Sequence, residues 1–447
     1  MNKIRISVAV LFLLLTAFAW KHQFDVHTAQ ENNYLLLCEK AQGYADNKLY
    51  QKAAETYAQA LAIKEAADIR AAQISVYRDG YQAGVLTAKN FTKTLNEAIA
   101  VYPKEAPYWE MLIRTQLNSN AYADAYKSCQ KAARAGAKSE TLDALTQEIS
   151  YSYKNGSKSY SAVFADTDGH FTLYNGEHWG VLNPTGDSWS YECVYRYISP
   201  IGTDGRVYLE SVGEPDTASS GQIVDKSGRI QSYITFEKAQ CKAASERFIP
   251  VFRDDGWQYY DFEKGDYVPG VYEEASAVTD SIAAVKEIGS TVWHLKNIVD
   301  DTALDGTFTD IKLFDNGEYL YGGKMVASEG TGYGLYRADG KKLAALPGND
   351  ADLYCGGKIA FRDDSGLWGY ADTKGNIVLE AQFESAKSFS GSLAAVCLDG
   401  KWGYINTSGQ MVIENQYVSA GYLNKNGVGF VSLSDGEYFP IMLRFPQ

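Results

Sequence analysis

The chain has 447 residues, of which 45% are hydrophobic and 22% are charged, and its formal net charge is −13. This length allows two or three domains with hydrophobic cores of their own. The acidic balance excludes nucleic acid and an anionic lipid surface as main partners, because both attract basic patches.

The N-terminus has the pattern of an export signal. Lys3 and Arg5 precede an uncharged apolar run from Ile6 to Trp20, which contains an A-x-A cleavage pattern. The run is shorter than the roughly 20 residues that a membrane-spanning helix needs, which favours cleavage. We therefore interpret residues 1–29 as a signal peptide or signal anchor with a linker. The rest of the chain is expected to be exported to the cell envelope or exterior, with membrane contact only through this segment if it stays uncleaved.

The cysteines do not form a recognisable framework. An even number in an exported chain permits disulfides, but no two are spaced as C-x-x-C and none has a histidine at metal-ligand spacing. We expect most of them to be free, buried side chains. The six are Cys38, Cys129, Cys193, Cys241, Cys355 and Cys397.

Helical periodicity dominates residues 30–150. In the first part of this region, Tyr44, Ala53, Tyr57 and Ala60 fall on one face of a helix pair. Their spacing resembles the tetratricopeptide repeat, in which small residues let two helices approach and aromatic residues fill the space between units. The alternative is an antiparallel helical hairpin array outside that family.

Two further helical units follow at similar spacing. The second fits at Ala98 and Pro103 but has Phe91 at a small-residue position, and the third has Trp109, Ala125 and Ala132 at the key positions. The predicted units are 34–67, 72–105 and 106–139, followed by a capping helix that begins at Ser139. The resemblance implies a solenoid that binds a peptide or protein.

The periodicity changes near Ser150. Short runs of aromatic and β-branched residues then alternate with Gly, Asn and Asp turns up to the C-terminus. We interpret the polar stretch 151–160 as a linker and 161–447 as a β-repeat domain. The predicted fold class is therefore α+β multidomain.

A Trp-Gly pair marks the β-repeat, most clearly in "SGLWGYADTKGN" and "DGKWGYINTSGQ". The slot recurs seven times, with Gly221 in one copy, and such recurrence indicates a structural repeat rather than a catalytic centre. These residues resemble the WG (KWG) repeat family, which implies no particular chemistry. The other predicted repeat positions are Trp179, Gly180, Trp257, Trp293, Tyr333, Gly334, Trp368, Gly369, Trp402 and Gly403.

Seven units of four short strands predict a seven-bladed β-propeller. Closure of a ring removes exposed edge strands, and the C-terminal tail is expected to supply a last hairpin that completes the ring with strands near 162–174. An open β-solenoid or meander array is the alternative.

No chemistry-bearing motif stands out, so we expect no catalytic residue, cofactor or metal site. The five histidines are not paired with each other or with cysteine. "DTDG" at 166–169 lacks the later ligands of a calcium loop, and "SCQK" at 128–131 matches S-x-x-K only inside a helical unit.

These patterns favour a non-enzymatic, exported interaction protein with a protein or peptide partner. One alternative is a carbohydrate or cell-wall binding module that stacks exposed aromatics on sugar rings. A further alternative is a propeller-type hydrolase, which requires carboxylates around the central channel.

Overall fold

The structure is a computed structural model that describes residues 2–166, 169–212, 221–236 and 240–446, with side chains described from residue 18 onward. The chain divides into two compact units, Met1–Ser150 and Tyr151–Gln447. Thr167 and Asp168, the two middle residues of the "DTDG" stretch, lie outside the described residues.

The first unit is helical. Each helix packs on the next, and α5 also packs on α7, as expected for stacked helical hairpins. Among the described residues, no helix has the length and apolarity needed to cross a membrane. The helices are α1 (Asn2–Asp46), α2 (Tyr50–Ile63), α3 (Ala67–Gln82), α4 (Ala88–Val101), α5 (Ala106–Asn118), α6 (Tyr122–Ala135) and α7 (Glu140–Ser150).

These helices confirm the prediction of three tetratricopeptide-like hairpins and a capping helix. The second hairpin begins at Ala67, five residues earlier than the predicted bound of 72. The backbone N–H of Leu142 donates to Ser139 Oγ at 3.0 Å, which is the N-cap hydrogen bond expected for α7. Leu142 itself is buried, so the cap fixes the helix with its apolar side inward.

The second unit begins with a short strand, β1 (Tyr153–Asn155), and continues as antiparallel blades of four strands. Blade 1 comprises β2 (Ala162–Ala165), β3 (Phe171–Tyr174), β4 (Trp179–Leu182) and β5 (Trp189–Tyr195). Blade 2 comprises β6 (Tyr197–Ile198), β7 (Val207–Glu210), β8 (Gly221–Val224) and β9 (Ile230–Tyr233).

Blades 3 and 4 are joined in one sheet. Blade 3 comprises the bridge from Cys241 to Val251, then β10 (Phe248–Arg253), β11 (Gly256–Asp261) and β12 (Asp266–Tyr267). Blade 4 comprises β13 (Tyr272–Ala275), β14 (Ile282–Glu287), β15 (Trp293–Asn297) and β16 (Thr302–Ala303). The two are linked only where Trp257 pairs with Tyr272.

The last four blades repeat the same order. Blade 5 comprises β17 (Asp310–Ile311), β18 (Lys324–Ser328), β19 (Tyr333–Arg337) and β20 (Lys342–Ala345). Blade 6 comprises β21 (Asp350–Ala351), β22 (Ile359–Arg362), β23 (Trp368–Ala371) and β24 (Ile377–Phe383). Blade 7 comprises β25 (Ser385–Ala386), β26 (Leu393–Leu398), β27 (Lys401–Asn406) and β28 (Met411–Tyr417). Blade 8 comprises β29 (Ser419–Ala420), β30 (Val428–Ser434), β31 (Glu437–Leu443) and β1.

A buried apolar cluster lies between every two consecutive blades of the described chain. The cluster between blades 8 and 1 closes the ring, since it joins Phe430 and Val428 to Tyr160, Phe171 and Leu173. The rings of Phe171 and Phe430 lie 4.9 Å apart. This closure establishes a propeller rather than an open solenoid or meander.

The predicted count of seven blades is one short, because the described chain forms eight. The C-terminal tail does supply the predicted hairpin, β30 and β31, and closes the ring against blade 1. The hairpin lies in a sheet with β1, its outer strand, rather than with residues 162–174. Tyr438 occupies the slot of Trp402 in this blade but is followed by Phe439, so the Trp-Gly pattern does not mark it.

The stretch 151–160 is likewise not a linker. Tyr153, Lys154 and Asn155 pair with Leu443, Met442 and Ile441 of β31. The backbone N–H of Gly156 donates to Pro440 O at 2.7 Å, and Tyr160 forms a bridge with Tyr438. Polar composition is misleading here, because an outer strand is half-solvated and accepts polar side chains.

Candidate functional site

The glycine of the Trp-Gly pair lies beside a bulge in the neighbouring strand. In blade 7 the register of β27 against β28 shifts between Trp402 and Tyr404. A Cβ atom on Gly403 would lie 2.5 Å from Ile413 O and 2.7 Å from Asn415 N, closer than real Cβ contacts allow. Glycine is therefore required by the bulge. The same crowding occurs at Gly180, Gly334 and Gly369.

The aromatic residues of the slot lie against the blade interfaces. Trp402 is half-buried against the cluster between blades 7 and 8, and Trp368 against the cluster between blades 6 and 7. Trp293 is buried between blades 4 and 5. The remaining slot residues, Trp179, Trp257 and Tyr333, are also half-buried against such clusters.

A second repeated residue, the tyrosine two positions after the tryptophan slot, connects consecutive blades. Blades 3, 6 and 7 have this tyrosine, and in each its hydroxyl donates to a carbonyl just after the first strand of the next blade, 17 residues further along the chain. The sequence pattern shows this tyrosine, but only the structure shows its bond. The pairs are Tyr259 with Ser276, Tyr370 with Lys387, and Tyr404 with Gly421, at 2.8, 3.0 and 2.9 Å.

The helical-repeat positions named from the sequence lie mainly in the interior of the first unit. Ala53, Ala60, Ala125 and Ala132 are each 0% exposed, which permits close approach of neighbouring helices. The aromatic members Tyr57 and Trp109 are also buried, whereas Tyr44 is half-buried against the cluster that contains Tyr57. Trp109 Nε1 donates to Pro103 O at 2.8 Å.

The recurring residues thus serve packing, and the non-recurring ones surround a central cavity of about 660 Å³. All eight blades of the described chain contribute to it, each through the loop between its first and second strands. Because these loops differ in sequence from blade to blade, no repeat pattern marks the cavity. Its lining includes one or more residues from each blade, among them Asp166, Thr203, Glu246, Asp280, Glu318, Cys355, Ser390 and Lys425.

The cavity wall is acidic on one side. Five carboxylates line it from blades 1 to 5, namely Asp166, Asp204, Glu246, Asp280 and Glu318, whereas Lys425 of blade 8 is the one lysine or arginine in the described lining. This distribution produces an electrostatic gradient across the cavity from blade 8 toward blades 3 and 4.

Three of these carboxylates are fixed by internal contacts, and Asp204 is one of them, since it forms an ion pair with Arg206 and accepts from the N–H of Glu246 at 2.7 Å. Asp166 accepts from the N–H of His170 at 2.7 Å, and His170 Nδ1 lies 3.1 Å from its second oxygen. Burial raises the pKa of Asp166, and the contacts with His170 partly oppose that rise. Glu318 accepts from the N–H of Thr203 at 2.7 Å and from Asn316 Nδ2 at 3.0 Å.

A loop of blade 5, residues 312–323, crosses the ring and forms hydrogen bonds with blades 2, 3 and 4; we call it the crossing loop. Asn316 Nδ2 donates to Ile201 O of blade 2 at 3.1 Å. The N–H groups of Ala243 and Ala277, in blades 3 and 4, donate to Asn316 O and Gly317 O at 2.8 Å each. The crossing loop, which contributes Phe314 and Glu318 to the cavity lining, is therefore hydrogen-bonded to blades 2, 3 and 4.

The chemistry available in this cavity is that of carboxylates and hydroxyls. Within the described ranges, no cluster of three or more His, Cys, Asp or Glu residues could hold a metal ion. All six cysteines are free. Burial raises the pKa of Cys355, the cysteine of the cavity lining, so its thiol stays protonated at neutral pH and is a poor nucleophile.

A family model described as "WG containing repeat" matches residues 368–402 and 402–438. The chain therefore contains WG repeats, and these matched segments extend from the third strand of blade 6 into the third strand of blade 8. Preceded by the helical hairpins, they define a repeat protein with an α-helical unit and a WG-repeat propeller. No curated protein of similar sequence was found.

Solved structures resemble the chain only distantly. Hsv2 of Kluyveromyces lactis matches with 10% identity and a TM-score of 0.37, over 63% of this chain and 98% of its own. A eukaryotic initiation factor matches with 10% identity and a TM-score of 0.38, over 64% of this chain and 84% of its own. The Sgt2 TPR domain of Aspergillus fumigatus matches with 19% identity and a TM-score of 0.21, over 26% and 76%. TM-scores this low do not establish a shared fold, so the propeller assignment depends on the strand order and blade packing described above.

Proposed function

We propose that this chain is a non-enzymatic, exported interaction protein that binds protein or peptide partners through its helical repeats and its propeller. The observation that carries this proposal is a difference in location between the recurring and the non-recurring residues. Those that recur are used in packing within each unit, while the loops that differ between blades line the central cavity described above. Stacked repeats commonly serve as binding platforms of this kind.

Export is proposed from the N-terminal pattern of Lys3, Arg5 and the apolar run that follows. Fractionation of the native host, with N-terminal sequencing of the mature protein, tests it. We expect a mature N-terminus soon after Ala19 and recovery outside the cytoplasm. A protein that keeps its first residues and stays in the cytoplasm would contradict this part of the proposal.

The carbohydrate alternative receives less support. It needs exposed aromatic rings. Among the exposed large apolar side chains that the structure describes in the propeller, Tyr233 is the one aromatic. The others there are aliphatic. A single ring offers a small stacking surface for a polysaccharide.

A hydrolase is the second candidate, because carboxylates do line the central cavity. A glycosidase needs one carboxylic acid and one carboxylate flanking the scissile bond. The carboxylates of Asp166 and Glu318 are held by internal hydrogen bonds, and that of Asp204 is paired with Arg206. This leaves Glu246 and Asp280 as the pair to test. Hydrolysis of a polysaccharide or peptide panel that disappears in Glu246→Gln would replace our proposal with this one.

Partner binding is tested by placing a photo-crosslinking amino acid at single exposed positions of the full-length protein. Suitable positions are Arg114 on α5 and Lys425 at the cavity, with Val378 on the outer strand β24 as a matched control. We expect the same partner protein to be crosslinked reproducibly from Arg114 or Lys425 and not from Val378. Equal background labelling at all three positions would argue against an interaction platform.

A further inference from the structure

A second cavity of the propeller, of about 850 Å³, lies between blades 1 and 2; we call it the blade 1–2 cavity. Blade 1 contributes Ser190 and Tyr191 of β5, and His170, which precedes β3. Blade 2 contributes the loop between β6 and β7, which contains Arg206, and the turn between β8 and β9, which contains Lys226. Basic side chains from three separate segments therefore line one cavity.

Close contacts hold the walls of this cavity together. The hydroxyl of Tyr191 in blade 1 donates to Asp225 O in blade 2 at 3.1 Å. Gly205 has φ 77°, and a Cβ atom there would lie 2.7 Å from Cβ of Lys226. Glycine therefore permits the loop of Arg206 to touch the turn of Lys226. The two cationic side chains start from segments in direct contact.

The two carboxylates of the lining are already used within the protein. Both oxygens of Asp204 accept hydrogen bonds from Arg206, one from its N–H at 3.0 Å and the other from its Nη1. One oxygen of Asp225 accepts from the N–H and the hydroxyl of Ser227, at 2.9 and 2.6 Å. The other accepts from Gln231 Nε2 at 2.9 Å. Neither carboxylate has much capacity left for a ligand.

The basic side chains have donors to spare. Arg206 binds Asp204 through Nη1, whereas its Nη2 makes no hydrogen bond in the described part of the chain and its Nε is buried without a partner there. Within the same ranges, Lys226 forms no ion pair and no hydrogen bond. A guanidinium carries five N–H donors and an ammonium three. The cavity therefore offers mainly unused donors, which is the chemistry of an anion site.

We propose that Arg206 and Lys226 bind the phosphate or carboxylate group of a small organic anion in the blade 1–2 cavity. Such groups accept several hydrogen bonds from guanidinium and ammonium donors, and the opposite charges strengthen each bond. The hydroxyl of Ser190 and the ring of Tyr191 provide polar and apolar contacts for the rest of the ligand. A cavity of about 850 Å³ has room for a monosaccharide that carries the anionic group.

This inference goes beyond the proposed partner binding and does not depend on it. The crosslinking positions Arg114, Lys425 and Val378 do not line the blade 1–2 cavity. A negative crosslinking result would therefore leave the anion site standing, and a lack of anion binding would leave the partner proposal standing.

The test is a calorimetric titration of the full-length protein, at low salt because ionic strength screens charges at an open cavity. The buffer contains no phosphate or sulfate, and the probes are glucose 6-phosphate, glucuronate and glucose. We expect glucose 6-phosphate, glucuronate or both to bind, and neutral glucose to bind at least about tenfold more weakly. Binding of one anionic probe alone identifies phosphate or carboxylate as the recognised group. The formal net charge of −13 opposes unspecific anion binding elsewhere on the chain.

The double variant Arg206→Gln/Lys226→Gln should lower the affinity for the bound probe by about tenfold or more. The matched control Arg337→Gln/Lys374→Gln removes the same charges at the corresponding turns of blades 5 and 6, outside the lining of the cavity, and should keep the affinity. Arg337 is paired with an aspartate two residues away, as Arg206 is. Equal affinity of the two double variants, equal binding of glucose and the anionic probes, or no binding of any probe up to about 10 mM would overturn the inference.

Lys226→Gln alone keeps the test decisive if the double variant fails to fold, because Lys226 is exposed. Its melting temperature without a probe should equal that of the wild type, since no contact within the described chain is lost. The rise in melting temperature caused by the bound probe should shrink, because a weaker ligand stabilises the folded state less. A Lys226→Gln protein that the probe stabilises as strongly as the wild type would overturn the inference.

Discussion

The hydroxyl of Tyr404 donates a 2.9 Å hydrogen bond to the carbonyl oxygen of Gly421 in the next blade. Tyr404 is 0% exposed, and burial raises the pKa of its hydroxyl, so the donor proton is present throughout the physiological pH range. The bond connects the third strand of one blade with the first strand of the next, and it has equivalents at Tyr259 and Tyr370. In these three blades the aromatic pattern therefore stabilises the junction between blades as well as the blade itself.

Tyr404→Phe should destabilise the propeller by about 1–2 kcal/mol, because it removes one hydrogen bond and leaves a buried carbonyl acceptor less well satisfied. Denaturant unfolding monitored by near-UV circular dichroism measures the change. Tyr233→Phe is the control, since Tyr233 is 68% exposed. Equal stability of the two variants would show that the Tyr404 bond contributes nothing.

Gly403→Ala should cost more than Tyr404→Phe, at least about 2 kcal/mol, because the added Cβ meets backbone atoms of Ile413 and Asn415 that cannot move without breaking the bulge. The matched control is Gly43→Ala in α1, where a Cβ would meet nothing within 4 Å. That variant should be neutral or stabilising by up to about 1 kcal/mol, since alanine favours helices. A Gly403→Ala protein with wild-type stability would disprove the steric explanation of the Trp-Gly pair.

Trp402→Ala should destabilise the propeller by about 2–3 kcal/mol, less than the about 3–5 kcal/mol typical of a fully buried aromatic residue, because Trp402 is half-buried. The helical unit should keep its far-UV signal at 222 nm at temperatures where the β-sheet signal of the variant is lost. Unchanged melting of the variant would indicate that Trp402 is available to a ligand rather than needed for packing.

Residues 153–155 should exchange their amide hydrogens slowly, and trypsin should cleave slowly after Lys154 in the native protein. Both expectations follow from the pairing of β1 with β31. Hydrogen–deuterium exchange with mass spectrometry measures the first, and timed digestion measures the second. Truncation after Gly436 removes β31 and provides the comparison, in which both protections should disappear. Rapid exchange and cleavage at 153–155 in the intact protein would restore the linker interpretation.

Asp166 should make stability depend on pH. Burial raises its folded-state pKa above the ordinary 3.8, so its favourable contribution is complete below that pH and declines as pH rises through the folded-state pKa. Asp166→Asn keeps an oxygen that can accept from the N–H of His170 but does not ionise. The stability of the variant relative to the wild type should therefore increase as pH rises above 3.8. A pH-independent difference in melting temperature between the two proteins would contradict this assignment.

The sequence was sufficient for those features that recur. Ala53 and Ala60 share a helical face, and Trp402 and Gly403 recur near 34-residue spacing, so both units could be predicted from local periodicity. The Trp-Gly pattern predicts the C-terminal hairpin but does not count it as an eighth blade, because Tyr438 and Phe439 replace the pair at its third strand.

The cavity could not be predicted, because its geometry depends on contacts between distant parts of the chain. Asn316 meets Ile201, which is 115 residues away, and neither residue belongs to a repeated pattern. The lining of the central cavity comes from loops of all eight blades of the described chain, and closure of the ring between blades 8 and 1 brings the first and last of these loops together.

Because β1 pairs with β31, the propeller cannot close until β31 has been synthesised. During synthesis β1 has no pairing partner until the ribosome has added β31 (Glu437–Leu443), almost 290 residues later. Until then blade 8 is absent and blade 1 presents an uncovered face, which exposes the nascent chain to aggregation. The propeller therefore depends on Glu437–Leu443, and a stop codon before these residues would leave an open arc rather than a slightly smaller ring.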